Sequence, residues 1–207
     1  MYSTRPGLIL GFHGCDQPVA DKVIATGDDL YPSDNIYDWL GKGIYFWEQS
    51  PQRALHYAQE LQANPQRAQR PITNPAVVGA VLDLGFCLDL INMDNLRILQ
   101  ETYLTIQEAY EMANKTLPSN KKGKEETTED LLRRELDCII INAVHDSRRE
   151  KGLQPFDSVR GVFWEGDRLY PTAGFKAKNH IQIAICNPNC IKGYFRPRNL
   201  QAEYPLV

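Results

Sequence analysis

The run Gly41-Lys42-Gly43-Ile44-Tyr45-Phe46 constrains this 207-residue chain more than any other stretch. Two glycines bracket a lysine, and an apolar, aromatic run follows at once. Glycine reaches backbone angles closed to other residues and lets another group approach the main chain. Ile44, Tyr45 and Phe46 have strand preference. The pattern predicts a loop with close backbone approach at Gly41 and Gly43. That loop feeds a strand with Tyr45 near its mouth. A tight turn before a core strand is the plainer reading of the same residues. A Walker loop is excluded, because the Lys-Ser/Thr ending is absent.

The flanking segments alternate strands and helices. Leu8 to His13 is a short apolar strand. Asp16 as N-cap and Pro18 in the first turn open a helix with Val19, Ala20, Val23 and Ile24 on one face, ended by Gly27. Residues 28–40 are rich in turn formers, with Tyr37, Trp39 and Leu40 pinning the end of the loop. After a strand over 43–47, Ser50 and Pro51 start a second helix carrying Ala54, Leu55, Tyr57, Ala58 and Leu61. Residues 63–75 read as a surface loop. Val77 to Leu84 is a strand, and Cys87 to Leu90 a second short strand or a turn onto the next helix. Helices are expected over 93–103 and 105–114, the latter opened by Thr105 with Glu108 as a capping box. Residues 115–128 are an exposed polar loop inside a single domain spanning 1–207. Thr127 and Asp130 open a helix over 131–149, with Leu131, Leu132, Leu136, Ile139, Ile140 and Val144 buried. Strands are expected at 159–164, His180 to Cys186 and Ile191 to Phe195.

The formal net charge of −3 argues against a broad nucleic-acid footprint. The five cysteines, Cys15, Cys87, Cys138, Cys186 and Cys190, are odd in number and show no disulfide spacing. A reducing, cytoplasmic location is the simpler expectation. The first residues carry no basic region with an apolar signal core, and no apolar run is long enough for a bilayer. Cys186 and Cys190 share a short spacing, but a closed zinc site needs four ligands, so no metal is expected. His145 reads as a surface or interface residue, and Lys121-Lys122-Gly123-Lys124 as a solvated loop. Glu48, just before the Ser50 cap, reads as solvated.

A second motif, Gly11-Phe12-His13-Gly14-Cys15, ends the first strand. Together with Gly-Lys-Gly-Ile-Tyr-Phe it resembles the diphtheria-toxin-like ADP-ribosyltransferases, most closely the poly-ADP-ribose polymerase branch. Residues 8 to 58 carry most of the likeness. The resemblance implies an α+β fold of two packed, mostly antiparallel sheets forming an NAD cleft with helices around it. It implies cleavage of the nicotinamide–ribose bond of NAD through an oxocarbenium-like transition state, with no metal. His13 would bond the adenosine-side ribose. Gly14 would pair its N–H and C=O with the nicotinamide amide, Gly43 would lie against the dinucleotide, and Tyr45 and Tyr57 would stack on the ring.

At the third position of the family's triad, its glutamate is replaced by Gln182, giving His13, Tyr45, Gln182. Glutamine can hold a ribose but carries no charge. Chain elongation is therefore not expected. Single-unit transfer to a protein, nucleic acid or small molecule fits, as in a toxin or effector with an antitoxin-like partner. NAD hydrolysis and a catalytically silent NAD- or ADP-ribose-binding module are the alternatives. Glu165, at a strand end before Gly166, is a candidate for the missing carboxylate, against the plainer reading of a surface turn. Cys15 stands where the family has Ser or Thr, and a small buried side chain explains it.

Overall fold

A computed structural model describes residues 7–123 and 130–198. Seven strands and four helices follow one another as β1 (Ile9–Asp16), α1 (Gln17–Thr26), β2 (Ile44–Glu48), α2 (Pro51–Ala63), β3 (Pro75–Leu82), β4 (Cys87–Asp89), α3 (Met93–Met112), α4 (Glu135–Glu150), β5 (Ser158–Phe163), β6 (His180–Ile185) and β7 (Ile191–Phe195). The α+β expectation holds. The expectation of two separate sheets does not: the strands form one sheet in the order β4-β5-β6-β2-β1-β3-β7. Every neighbouring pair is antiparallel except β4 with β5.

The sheet nearly divides in the middle. β1 pairs with β3 from Ile9↔Leu82 to Asp16↔Pro75, but with β2 only at Gly11↔Glu48 and Phe12↔Trp47. The early edge strand β2 gains its second partner only from the far end of the chain, through Ile44↔Ile185 to Trp47↔Gln182.

Alternation along the strands sorts the core. Ile44, Phe46, Val78, Ala80, Leu82, Ile183 and Ile185 face one side, where Ala20 and Val23 of α1 join them. On the other side, Phe12 and Trp47 pack under Ala54 of α2. Farther along that side Leu88, Val159 and Ala184 lie under Ile141 and Val144 of α4. Helix α1 ends as expected, with Gly27 in the left-handed region at φ 72° and its N–H on the Val23 carbonyl. Asp16 precedes α1, yet its carboxylate accepts from the N–H groups of Thr73 and Asn74 rather than capping the helix.

Several expectations fail for identifiable reasons. The two helices predicted over 93–114 are one, because Thr105 does not cap: its hydroxyl donates to the Glu101 carbonyl one turn back, as mid-helix threonines do. Helix α4 starts at Glu135, not 131. Thr127 lies outside the described residues. Asp130 is buried, accepting from the Gly166 N–H at 2.7 Å and pairing with Lys176. Leu131 is exposed, and the buried stripe is Cys138, Ile140, Ile141, Val144 and His145. The polar loop at 115–128 is described only to Gly123, where Lys121 bridges Arg133. No helix among the described residues is long and apolar enough to cross a membrane.

His145 is thus a core residue at 5% exposure, not a surface one. Burial, reinforced by Arg149, lowers its pKa to about 4. The unfolded chain takes up this proton near the ordinary value of 6.5, whereas the fold resists it until about 4. The stability held by neutral His145 is therefore full above pH 6.5 and lost as pH falls toward 4. We expect roughly 3 kcal/mol of acid destabilisation from this residue. Urea unfolding at pH 7 and pH 4.5 checks it: in His145→Gln the difference between the two should shrink, and an unchanged difference would refute the assignment.

Candidate functional site

The three triad positions lie on three adjacent strands, His13 on β1, Tyr45 on β2 and Gln182 on β6. They do not form one cluster of side chains. Extending the Phe12↔Trp47 register places His13 opposite Phe46 and Gly14 opposite Tyr45. The His13 and Phe46 rings meet edge-on with centroids 6.0 Å apart. Tyr45 faces the other side with Gln182, since Tyr45 pairs with Ala184 and Trp47 with Gln182.

His13 and Tyr45 are nonetheless linked. His13 Nδ1 lies 2.8 Å from the Tyr45 main-chain oxygen. A carbonyl only accepts, so Nδ1 carries the proton and donates. Burial lowers the pKa of His13, against the opposing effect of that bond, and favours the neutral ring. The imidazole thereby takes the carbonyl that a continued ladder would offer to the Gly14 N–H. The ladder ends one residue earlier, at Phe12↔Trp47. The Gln49 N–H bonds the Leu10 carbonyl, so the even-numbered residues of β1 aim their main-chain groups toward β2. Gly14 therefore directs its N–H and C=O into the gap between the strands.

The glycines serve the fold first. A Cβ at Gly14 would lie 2.0 Å from the Ala54 carbonyl of α2. Gly41, at φ +75°, sits against Asn142 and Ile141 of α4. Gly43 exchanges both main-chain hydrogen bonds with Ser33 and lies against the Ile185 carbonyl. The close backbone approach predicted at Gly41 and Gly43 is thus an approach of other protein segments.

Tyr45 is half-buried, and its hydroxyl donates to the Gly41 carbonyl at 2.8 Å while accepting from the Leu40 N–H at 3.0 Å. Burial raises its pKa well above the ordinary value. Tyr57 lies against Trp47, ring centroids 5.0 Å apart, with its pKa pushed up to about 12 by burial. Neighbouring His56 is exposed on the outer side of α2 and reaches Glu60.

Gln182 is held by a residue predicted only to pin the end of the 28–40 loop. The Trp39 indole N–H donates to Gln182 Oε1 at 2.6 Å. Trp39 packs edge-on against Phe163 at 4.3 Å, with the Arg134 guanidinium over both rings. Two open grooves lie elsewhere, one of about 280 Å³ between α1 and α2, and one of about 290 Å³ beside Lys22, Tyr31 and Arg70. Neither is lined by His13, Tyr45, Tyr57 or Gln182.

Both flanking carboxylates differ from expectation. Glu165 is no surface turn residue: it is buried and receives Arg53 Nη2 at 2.8 Å. Lys178 bonds Glu60 at 2.5 Å, and the four charges form a closed cluster under α2. Glu48 is not solvated. It accepts from Arg160 at 2.5 and 3.1 Å on the opposite face of the sheet. Sequence reasoning had no signal for Arg53 with Glu165 or Arg160 with Glu48, since each pair is more than a hundred residues apart. Cys15, Cys138, Cys186 and Cys190 are free, and no cluster of potential metal ligands occurs among the described residues.

The chain matches no family model and no solved structure. It is similar to the uncharacterized protein MJ0359 of Methanocaldococcus jannaschii, 23% identical over 195 residues, covering 87% of this chain and 83% of the relative.

Proposed function

We propose that the protein is an NAD-dependent mono-ADP-ribosyltransferase. The observation that carries this reading is the lapse of the β1–β2 ladder at Gly14 and Tyr45, with Gln182 on the next strand. A main-chain N–H and C=O pair aimed into a gap is the complement of a carboxamide, such as that of nicotinamide. Tyr45 and Tyr57 supply aromatic faces on the side toward which Gln182 points.

In the reaction the bond between ribose C1′ and the pyridinium nitrogen breaks, and the electron pair leaves with neutral nicotinamide. An acceptor oxygen or nitrogen then bonds C1′ and loses its proton to solvent. The leaving group needs no protonation, so the protein's work is orientation and exclusion of water. Gln182 orients the nicotinamide-side ribose through its amide, offering Nε2 as donor and the second lone pair of Oε1 beside the bond from Trp39. With a neutral group there, one ADP-ribose unit is transferred rather than a chain. If water outcompetes the acceptor, the outcome is hydrolysis.

Incubation with adenine-labelled NAD tests the proposal. Free nicotinamide with label on an acceptor supports transfer, release of free ADP-ribose supports hydrolysis, and binding without release leaves a silent module. We expect Gln182→Ala to slow nicotinamide release by roughly tenfold or more, the scale of one lost orienting contact. Gln182→Glu, which keeps the acceptor for Trp39 and adds charge, should raise it. Equal rates in all three folded proteins would remove Gln182 from the site.

A further inference from the structure

Two residues before Gln182, on the same face of β6, His180 is built as a hydrogen-bond acceptor with nothing to accept from. Its Nδ1 lies 2.6 Å from the Lys178 carbonyl and so holds the ring proton. In the neutral ring Nε2 is then a lone pair. That atom is buried and has no hydrogen-bond partner among the described residues. The ring is fixed by stacking on Phe163, centroids 5.2 Å apart and planes within 23°.

Unmet donors lie on the neighbouring Trp47 and on Arg53 beyond it. The Trp47 ring lies 6.1 Å away, and its Nε1–H is buried without a partner in a residue only 2% exposed. The Arg53 guanidinium stands 5.6 Å from the Trp47 ring centre, its side chain 10% exposed. Its Nη2 is committed to Glu165, but Nε and Nη1 lack hydrogen-bond partners, with Glu60 no closer than 3.8 Å to Nη1. Each buried polar group left unpaired costs about 1–3 kcal/mol. Native folds seldom keep several together without a role for them.

The complement of this set is specific. A lone pair calls for a hydroxyl, and N–H donors beside a guanidinium call for an anionic oxygen. We propose that His180, Trp47 and Arg53 form a subsite for a phosphate-bearing ribose, adjoining Gln182. The proposed function supplies the rest of the ligand, a dinucleotide; the subsite itself stands on the unpaired atoms.

The test titrates the whole chain with ADP-ribose, ribose 5-phosphate and inorganic phosphate, by calorimetry and by the nitrogen resonances of the histidine rings. Both sugar phosphates should move the Nε2 resonance of His180. His180→Phe removes the lone pair. Arg53→Lys keeps the cation for Glu165 and removes Nε–H and Nη1. Each should weaken ADP-ribose binding by about tenfold or more while the protein still melts cooperatively. Unchanged affinity in both folded variants overturns the subsite, as does an equal Nε2 shift with inorganic phosphate alone. If those variants bind as wild type while NAD is still consumed, the subsite falls and the transferase reading survives. If ribose 5-phosphate reaches His180 but neither NAD nor ADP-ribose binds, the subsite stands and the transferase reading falls.

Discussion

Gly14→Ala is expected to destabilise the protein by about 3 kcal/mol, the upper range for overpacking a core. The added methyl would sit 2.0 Å from the Ala54 carbonyl and 3.3 Å from the Ala58 Cβ. The nearest obstacle is helix backbone, which cannot rotate aside as a side chain can. Either α2 lifts from the sheet or β1 bends, and both carry Tyr57 or Gly14 away from the gap. In a chain of this size each kcal/mol moves Tm by about 2–4 °C, so a fall of roughly 6–12 °C is expected. Gly193→Ala is the control, because no atom lies within 4 Å of its added Cβ. A Gly14→Ala protein melting with wild type would mean that α2 does not press on this strand.

Arg160→Met should be as damaging for a different reason. Arg160 is 3% exposed and holds Glu48 through two nitrogens, while Nη1 reaches both oxygens of Asp89 at 3.2 and 3.3 Å. Removing one partner of a buried ion pair typically costs about 3–5 kcal/mol, because the remaining charge stays desolvated. The Glu48 side chain is 11% exposed, so its carboxylate would be stranded. Neutralising it should recover part of the loss: Arg160→Met with Glu48→Gln is expected to be more stable than Arg160→Met alone. Denaturant unfolding of the single and double variants measures this coupling. A loss under about 1 kcal/mol in Arg160→Met would assign the network to the surface class of ion pairs.

Local chemistry made much of the fold legible. Pro51 after Ser50 announced α2, Gly27 ended α1, and the alternation in His180 to Ile185 marked a strand, although both of its faces are buried, Ile183 and Ile185 on one and Ala184 on the other. Thr105 misled because a threonine followed by glutamate can mark a helix start or lie within a helix; the decision rests on whether residues before it continue the helix. Asp130 misled because its carboxylate is held by Gly166 and Lys176, residues that no local pattern links to it. The candidate site was legible at the level of strands, since His13, Tyr45 and Gln182 all fall on neighbouring ones. Which way each side chain points was not, because facing depends on register and a one-residue shift reverses it. Trp39 shows the same limit: its bond to Gln182 joins a loop near the start of the chain to a strand near its end.

The position of β6 has a consequence for how the molecule is made. Residues 180–185 wedge between β2 and β5, so the middle of the sheet cannot close until they leave the ribosome. Until then β2 offers a bare edge, the kind of surface that templates aggregation. Closure over such sequence distance is slow, which makes the nascent chain a natural client for holding chaperones. The same strand carries Gln182 and His180, so both side chains take their places only when the sheet is completed.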